Sequence, residues 1–269
     1  MALIDRPLVD PKRELSGFQP RKVLHHFGKL VEDKEDTEQV FHIIEATKGR
    51  KSVREAWDFI QSDTGQRFIA NEVDIPAMLD DHARWANLPD NSVGKHYMAF
   101  MKREGLTAAG LVAESHKWAP PEQLPQDLTQ WYFDRLRDTH DLFHVLTGYG
   151  RDALGEQCVL LFTHGQSPSH GHLLIGYAGA ANIKKMVRGS RAPVIGAVNQ
   201  ARRTGKGAPR LIDQPIRELL KQPVDSVRKA LNIPEPSKYR ECHLVWKSEG
   251  LDPYDLLASD TTPSELKPA

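Results

Sequence analysis

Apolar residues that recur three and four positions apart constrain the fold of this chain more than any other feature of its sequence. This spacing places apolar side chains along one face of an α-helix. The clearest sets are Val40, Phe41 and Ile44; Tyr97, Phe100 and Met101; and Leu128, Tyr132 and Leu136. Alternating apolar and polar runs bounded by turn residues, which are typical of β-strands, are missing. We therefore predict an all-α fold with about nine to eleven helices of ordinary length.

Glycine and proline indicate where several helices end. Gly105 and Gly205 each follow a helical pattern with basic residues, which is typical of a helix C-terminus. The segment Lys117–Pro125 holds three prolines, and proline disfavours helix at its own position and at the residue before it. This segment is therefore the clearest internal break that the sequence predicts.

Both ends of the chain lack helical periodicity. Residues 1–20 contain three prolines, and residues 258–269 lack apolar side chains able to anchor them. We expect an extended N-terminal arm over residues 1–20, one helical domain over residues 21–257 and a flexible tail over residues 258–269. A single domain is preferred to two, because neither side of the break at Lys117–Pro125 carries a complete chemical site.

Charge and cysteine content exclude several classes of protein. The 269 residues include 36 Lys and Arg and 36 Asp and Glu, so the formal net charge is zero. A sequence-independent nucleic-acid binder would carry a basic surplus, so we predict no nucleic-acid partner. Two cysteines cannot build a disulfide framework.

No apolar run approaches the ~20 residues that cross a bilayer, and the first residues resemble neither a secretory signal nor a transit peptide. We therefore expect a cytoplasmic protein.

Two histidines extend the apolar stripe of one predicted helix, residues 126–147 (QDLTQWYFDRLRDTHDLFHVLT). Four-residue steps along this stripe from Leu128 lead to His140 and His144, so both imidazoles are predicted to face the interior. A spacing of four brings the two rings close enough to share a metal ion. Asp141 lies about 100° further around the helix and can reach the same ion.

A fourth ligand is predicted on the next helix. Gly148, Tyr149 and Gly150 favour a turn, after which Glu156 lies on a second helix that would pack antiparallel to the first. Two imidazoles and two carboxylates on adjacent helices suit a divalent metal. The alternative, in which the histidines lie at the edge of the core and are capped by local carboxylates, stays open at this point.

Two other chemistries are less consistent with these residues, and a third stays open. In the H-E-x-x-H motif of metalloproteases the acid is a glutamate, whereas Asp141 is one methylene shorter and poorly placed as the base. The glycines within residues 148–155 and 205–207 lack the spacing of nucleotide-binding loops. A metal-dependent hydrolase of a small substrate would need an open polar cleft.

The segment around these residues resembles a known family. It reads His140-Asp141-x-x-His144, then eleven intervening residues, then Glu156. This resembles the Coq4 family of ubiquinone (coenzyme Q) biosynthesis proteins, whose signature is HDxxH, eleven residues and then E. The resemblance spans residues 85–235.

The resemblance implies a metal site, usually taken as zinc, at His140, Asp141, His144 and Glu156, with iron and cobalt as alternatives. It also implies an apolar cavity for a prenyl chain and peripheral attachment to the membrane that holds the quinone. For this chain we expect that membrane surface to be the inner face of the cytoplasmic membrane. Other quinone-biosynthesis proteins are the implied protein partners, and a homodimer stays open.

The resemblance also implies an activity. Family members act on a prenylated 4-hydroxybenzoate-type precursor and replace the ring carboxylate by a hydroxyl at carbon one, an oxidative decarboxylation. The four metal ligands and Arg137 are then the predicted catalytic residues, because an ion beside an arginine would attract the carboxylate. For Arg137 the alternative is ion pairing with Asp134 and Asp138. A second role implied for the family is a non-catalytic, prenyl-lipid-binding organiser of the biosynthetic enzyme complex.

Residues 173–183 (LLIGYAGAANI) predict a helix that is apolar nearly all round, with small residues on one side. Small residues admit either an isoprenoid chain or a close neighbouring helix, and close packing is the preferred interpretation. Further along, the basic segment Arg202–Lys206 suits either acidic lipid headgroups or a helix C-terminus.

Overall fold

The computed structural model describes residues 2–13, 17–32, 37–47, 50–71 and 73–256. Those residues form sixteen α-helices and three short 3-10 helices, and they contain no β-strand. The α-helices are α1 (Pro20–Glu32), α2 (Thr37–Thr47), α3 (Arg50–Gln61), α4 (Asp63–Ala70), α5 (Ile75–Asp80), α6 (His82–Trp85), α7 (Val93–Glu104), α8 (Ala108–Trp118), α9 (Leu128–Asp138), α10 (His140–Thr147), α11 (Ala153–Gln166), α12 (His170–Met186), α13 (Val194–Gly207), α14 (Ile216–Leu219), α15 (Val224–Ala230) and α16 (Ser237–Ser248). The 3-10 helices are Leu3–Asp5, Pro121–Gln123 and Leu211–Asp213. The predicted all-α class is confirmed.

The described residues form more helices than the predicted number of about nine to eleven, because polar caps divide several periodic segments. Ser62 follows α3 and caps α4, its hydroxyl accepting from the N–H of Gly65. Asp81 separates α5 from α6 and accepts from the N–H of Arg84 at 3.2 Å. A capping residue has a non-helical backbone, so each residue that caps a new helix also interrupts the one before it.

Helix α11 packs against both α12 and α13 inside the main hydrophobic core. Its contact with α13 is close enough to require glycine, since a Cβ atom on Gly205 would lie 2.1 Å from the carbonyl oxygen of Phe162. The prediction that a helix ends at Gly205 is therefore wrong, because α13 runs on to Gly207. At Gly105 the corresponding prediction is confirmed, since this residue caps α7 with a φ of 66°.

A second hydrophobic cluster joins the N-terminal segment to α3, α4 and α9. Leu3 is 2% exposed within this cluster. At the start of α9, the buried carboxylate of Asp127 accepts a hydrogen bond from Nε of Arg13 at 2.7 Å. Residues 2–13 therefore lie against α9, held by apolar contacts, by this charged contact and by hydrogen bonds from the N–H groups of Leu128 and Thr129 to the carbonyl oxygens of Pro7 and Leu8.

The observed ends and lengths of the helices can be compared with the predictions of an internal break, a C-terminal tail and no membrane-spanning segment. The predicted break at Lys117–Pro125 is confirmed, because α8 ends at Trp118 and α9 begins only at Leu128. The tail predicted at residues 258–269 lies outside the described residues. Within the ranges that the structure describes, every helix is too short or too polar to cross a lipid bilayer.

Candidate metal centre

Residues 126–147 form two helices, whereas their spacing predicts one. Helix α9 ends at Asp138 and α10 begins at His140, with Thr139 between them. The hydroxyl of Thr139 donates to the carbonyl oxygen of Arg135 at 2.8 Å, and such local bonds compete with the regular helix pattern. The apolar stripe is therefore divided, because α9 faces the second cluster and α10 faces the main core.

Three of the predicted ligands lie together despite this break, and Glu156 lies beside the two histidines. His140, Asp141 and His144 each offer one ligand atom, and these atoms lie within 4.8 Å of one another. Oε2 of Glu156 lies 3.5 Å from Nε2 of His144 and 3.9 Å from Nε2 of His140. His144 is 1% exposed, whereas the side chains of His140 and Glu156 are 32% and 27% exposed. The group therefore has a buried side and a side open to solvent.

A short turn sets Glu156 beside the histidines. Gly148 caps α10 in the left-handed conformation, with a φ of 75°, which glycine adopts without strain. Asp152 then caps α11, its carboxylate accepting from the N–H groups of Leu154 and Gly155 at 3.2 Å. Glu156 lies in the first turn of α11, so only this turn separates the two helices that carry the predicted ligands.

The ring of His144 presents a lone pair to Glu156. Its Nδ1 lies 3.1 Å from the carbonyl oxygen of Gly150 and 3.2 Å from that of Tyr149. A carbonyl oxygen can only accept, so Nδ1 carries the proton, and Nε2 of the neutral ring carries the lone pair. Nε2 is buried, and it has no hydrogen-bond partner among the residues that the structure describes. A lone pair that faces a carboxylate is unfavourable unless a proton or a metal cation lies between them.

His144 and Glu156 also shift each other's ionisation. Burial opposes the charged form of each group, but the Glu156 carboxylate outweighs it and raises the pKa of His144. Burial is likewise outweighed at Glu156, where His144 and His140 lower the pKa of the carboxyl. Each group therefore favours the opposite charge on the other, and a positive charge between them is stabilised.

The spacing between His144 and Glu156 suits two ligands of a tetrahedral metal ion. Zinc binds imidazole nitrogen and carboxylate oxygen at about 2.0–2.2 Å, which places two ligand atoms about 3.4 Å apart. Nε2 of His144 and Oε2 of Glu156 are 3.5 Å apart. Two imidazoles with carboxylates also suit iron(II). His140, Asp141 and His144 are thus a group that could hold a divalent metal, and Glu156 lies beside the two histidines.

Helix α7 forms one wall of the group. The ring of Phe100 stacks on His144, with centroids 5.4 Å apart and planes inclined by 23°. One turn earlier, Tyr97 is 1% exposed, and no described residue is a hydrogen-bond partner of its hydroxyl. Burial, followed by the charges of Asp141 and Asp80, raises the pKa of Tyr97. The wall therefore offers one apolar ring and one protonated, unpaired hydroxyl.

Arg151 is a site residue that the sequence pattern did not reveal. Its Nε lies 3.4 Å from Oε1 of Glu156, and 39% of its side chain is exposed. The predicted Arg137 instead donates to Asp138 at 2.8 Å and to the Ser115 hydroxyl at 3.0 Å. The one sequence signal for Arg151 is its position in the turn between the two ligand helices.

The small-residue face of α12 packs against α11. A Cβ atom on Gly176 would lie 1.5 Å from a side-chain carbon of Leu161, and one on Gly179 would lie 2.4 Å from Gln157. Close packing, the preferred interpretation of this face, is confirmed, and the face leaves no room for a prenyl chain. An open groove of about 680 Å³ lies along α16 instead, and its lining includes Tyr239, Arg240, His243, Leu244, Lys247 and Leu251.

Comparisons with known proteins agree with one another. The family model described as coenzyme Q (ubiquinone) biosynthesis protein Coq4 matches residues 29–237. The mitochondrial ubiquinone biosynthesis protein coq4 of Penicillium rubens is 27% identical over 180 residues, which cover 66% of this chain and 59% of the fungal protein. The corresponding protein of Podospora anserina is 26% identical over 184 residues, which cover 68% of this chain and 57% of that protein. This chain therefore spans less than two thirds of the length of these relatives.

A solved structure has a similar fold. The crystal structure of a candidate ubiquinone biosynthesis protein from Nostoc punctiforme matches with a TM-score of 0.59 at 17% identity. The match covers 81% of this chain and 100% of that chain. At such low identity the likeness concerns the helical fold alone.

Proposed function

Because this chain belongs to the Coq4 family of coenzyme Q (ubiquinone) biosynthesis proteins, we propose that it is a metal-dependent enzyme of that pathway. The proposed reaction is the oxidative decarboxylation of a prenylated 4-hydroxybenzoate-type precursor, in which a hydroxyl replaces the ring carboxylate at carbon one. This conversion releases carbon dioxide and is a two-electron oxidation overall. It therefore requires an oxidant: in the proposed balance water supplies the hydroxyl oxygen, and dioxygen accepts the two electrons and leaves as hydrogen peroxide.

The observation that carries this proposal is that two imidazoles and the carboxylate of a glutamate lie close together at a site that is partly exposed to solvent. His140, Asp141, His144 and Glu156 would hold the ion, which we propose to be zinc, with iron or cobalt as alternatives. A bound divalent ion supplies Lewis acidity, which polarises a carboxylate oxygen and stabilises negative charge. The exposed sides of His140 and Glu156 leave a direction from which a substrate can approach.

The residues around the ligands would bind and orient the carboxylated ring. Arg151 is the exposed cation beside Glu156, so its guanidinium would receive the ring carboxylate. Arg137 was predicted to be catalytic, and its bonds to Asp138, at the end of α9, and to Ser115 of α8 support a role in holding α9 against α8. The hydroxyl of Tyr97 is the unpaired donor that would bind a substrate oxygen.

The prenyl chain needs an apolar path, and we place it in the groove along α16. Leu244 is 70% exposed and Leu251 is 36% exposed at this groove. Arg240 and Lys247, which also line it, would face anionic headgroups at a membrane surface. Peripheral attachment to the inner face of the cytoplasmic membrane and contact with other quinone-biosynthesis proteins are parts of the same proposal.

Glu156→Gln tests the proposed function, because it removes one charge with little change of shape. We expect the metal-free variant to fold but to melt somewhat below the native protein, because it loses the charge that pairs with His144 and His140. Affinity for zinc should fall by at least about 100-fold, because a direct ligand matters more than an outer partner. Elemental analysis measures the bound metal, and mass spectrometry measures accumulation of the carboxylated precursor in cells that depend on this chain.

Glu114→Gln is the matched control, because Glu114 is half-exposed on α8 and pairs only locally with Lys117 at 2.6 Å. This control should keep both metal and turnover. Retention of metal and turnover by E156Q would contradict the enzyme proposal. If E156Q instead unfolds and the native chain converts no precursor, the ion is structural, and the non-catalytic organiser becomes the better description.

A further inference from the structure

A chain of hydrogen bonds joins helix α16 to the ring of His144. It passes through the peptide group between Tyr149 and Gly150, which makes one bond at each end. The carbonyl oxygen of this group accepts from Nδ1 of His144 at 3.2 Å. Its N–H donates to the hydroxyl oxygen of Tyr239 at 2.9 Å. Because a peptide group is planar and rigid, a bond that holds its N–H also sets the direction of its carbonyl.

The hydroxyl of Tyr239 is itself held by Asp152. It donates to Oδ2 of this carboxylate in a short hydrogen bond. Asp152 is fully buried, and Nε2 of His243 lies 3.3 Å from its Oδ1. Since Asp152 also caps α11, one carboxylate connects α16 with the helix that carries Glu156.

The turn between the ligand helices has little room to move. A Cβ atom on Gly150 would lie 2.8 Å from the hydroxyl of Tyr239. A Cβ atom on Gly155 would lie 2.0 Å from the carbonyl oxygen of Gly150, which is the second acceptor for Nδ1 of His144. The turn is therefore confined on one side by Tyr239 and on the other by the backbone of α11.

We infer that Tyr239 and Asp152 are positioning residues for the metal ligand His144, and this inference rests on the proposed metal site. They act through the peptide group between Tyr149 and Gly150, which keeps the proton on Nδ1 and leaves Nε2 free to bind the ion. A carbonyl or carboxylate partner on the far nitrogen of a ligating histidine fixes its tautomer and orientation, and raises its basicity. Here the partner carbonyl is set by a residue about 90 positions along the chain.

Tyr239→Phe tests this inference, because it removes the hydroxyl and keeps the aromatic ring. Cobalt(II) is the probe, since its visible spectrum reports ligand number and geometry as well as occupancy. We expect Tyr239→Phe to bind cobalt(II) about 10–100-fold more weakly than the native protein and to alter the spectrum of the bound ion. The melting temperature of the metal-free variant is measured alongside.

Tyr177→Phe is the matched control. The hydroxyl of Tyr177 also makes one strong hydrogen bond, to Asn199 at 2.6 Å, but it contacts none of the predicted ligands. This control should bind cobalt(II) within about twofold of the native protein and with an unchanged spectrum. It distinguishes the effect of losing a tyrosine hydrogen bond in general from the effect of losing the bond that Tyr239 makes.

The outcomes distinguish the two proposals. If native protein binds cobalt(II) and folded Tyr239→Phe binds it equally well with the same spectrum, the positioning role is overturned and the metal site stands. If native protein binds no cobalt(II), the metal site itself is wrong. Should Tyr239→Phe fail to fold, Asp152→Asn replaces it under the same criteria, because asparagine still caps a helix but lacks the charge.

Discussion

Gly155 illustrates, at the scale of a single residue, how a missing methyl group shapes the candidate metal centre. It lies in the first turn of α11, one position before Glu156, where the backbone of this helix meets the carbonyl of Gly150. That carbonyl also accepts from His144. The absence of a side chain at Gly155 therefore lets both ligand helices approach the same turn.

Gly155→Ala is expected to lower the free energy of unfolding by about 2–3 kcal/mol, because overpacking against backbone cannot be relieved by a side-chain rotation. Metal affinity should fall as well, since the acceptor of His144 must shift. Urea unfolding and zinc titration measure the two effects. In the control Gly28→Ala, no described atom beyond its chain neighbours and the adjacent backbone of α1 lies within 4 Å of the new Cβ, so better helix propensity should add up to about 1 kcal/mol. Equal stability of Gly155→Ala and native protein would contradict the packing described.

At the scale of elements, the start of α9 depends on a segment more than 100 residues earlier in the chain. Asp127 caps α9 by accepting from the N–H of Gln130 at 2.7 Å. The same carboxylate accepts from the N–H of Asp10 and from the guanidinium of Arg13, both at 2.8 Å. One buried carboxylate therefore serves as a helix cap and as the anchor of the N-terminal segment.

Asp127→Asn should weaken folding by about 2 kcal/mol at neutral pH, because Arg13 loses its charged partner while the cap is retained. Burial opposes ionisation of Asp127, but the bonds from Arg13, Asp10 and Gln130 outweigh it and lower its pKa. A lowered pKa stabilises the folded state fully above the unfolded value of about 3.9, and the contribution is lost as pH falls through the folded value. The difference between native and variant stability should therefore shrink in acid.

Unfolding curves between neutral pH and acid measure this difference. Asp225→Asn serves as the control, since its side chain is 90% exposed and 3.8 Å from Arg228, and its effect should stay within about 0.5 kcal/mol. A difference for Asp127→Asn that is constant across this range would show that the charge of Asp127 is not what stabilises the folded state.

At the scale of the whole molecule, the candidate centre depends on five helices. α10 and α11 carry the predicted ligands, α7 supplies a wall, and α16 holds the turn between the ligand helices. Arg228 of α15 donates to the carbonyl oxygens of Val145 and Leu146 near the end of α10. A ligand that binds this assembly in the folded state alone must stabilise the entire domain.

Zinc at 100 times its dissociation constant should add about 2.7 kcal/mol to the free energy of unfolding. For a chain of this length we expect a rise of roughly 5–8 °C in melting temperature. A chelator should reverse the rise, and E156Q should show little of it. Calorimetry with and without zinc makes the measurement. An equal rise in native protein and E156Q would mean that zinc binds at another place.

Local patterns predicted much of this molecule, because they depend on backbone geometry alone. The 3.6-residue period predicted the helical class, and the prolines of Lys117–Pro125 predicted the break before α9. The four-residue spacing of His140 and His144 predicted that their rings meet. The turn at Gly148–Gly150, followed by a short run to Glu156, predicted that a carboxylate faces them.

Residues whose important contacts lie far away along the chain could not be identified from local sequence patterns. Gly205 resembles a helix end in sequence, but its role is decided by the approach of α11. The apolar pattern across α9 and α10 is typical of one helix. The chain divides at Thr139 because α9 packs in the second hydrophobic cluster and α10 packs in the main core. Tyr239 lies 89 positions from Gly150, so nothing in its local sequence relates it to a histidine of α10.

By itself, the sequence determined the helical class, the break before α9 and the positions of the four predicted donor groups along the chain. Only the tertiary structure decided which nitrogen of His144 is free, which arginine contacts Glu156 and which distant tyrosine confines the turn. The physical reason is range: periodicity and capping act within a few residues, whereas hydrogen bonds and burial act between whichever surfaces the packing of helices brings together.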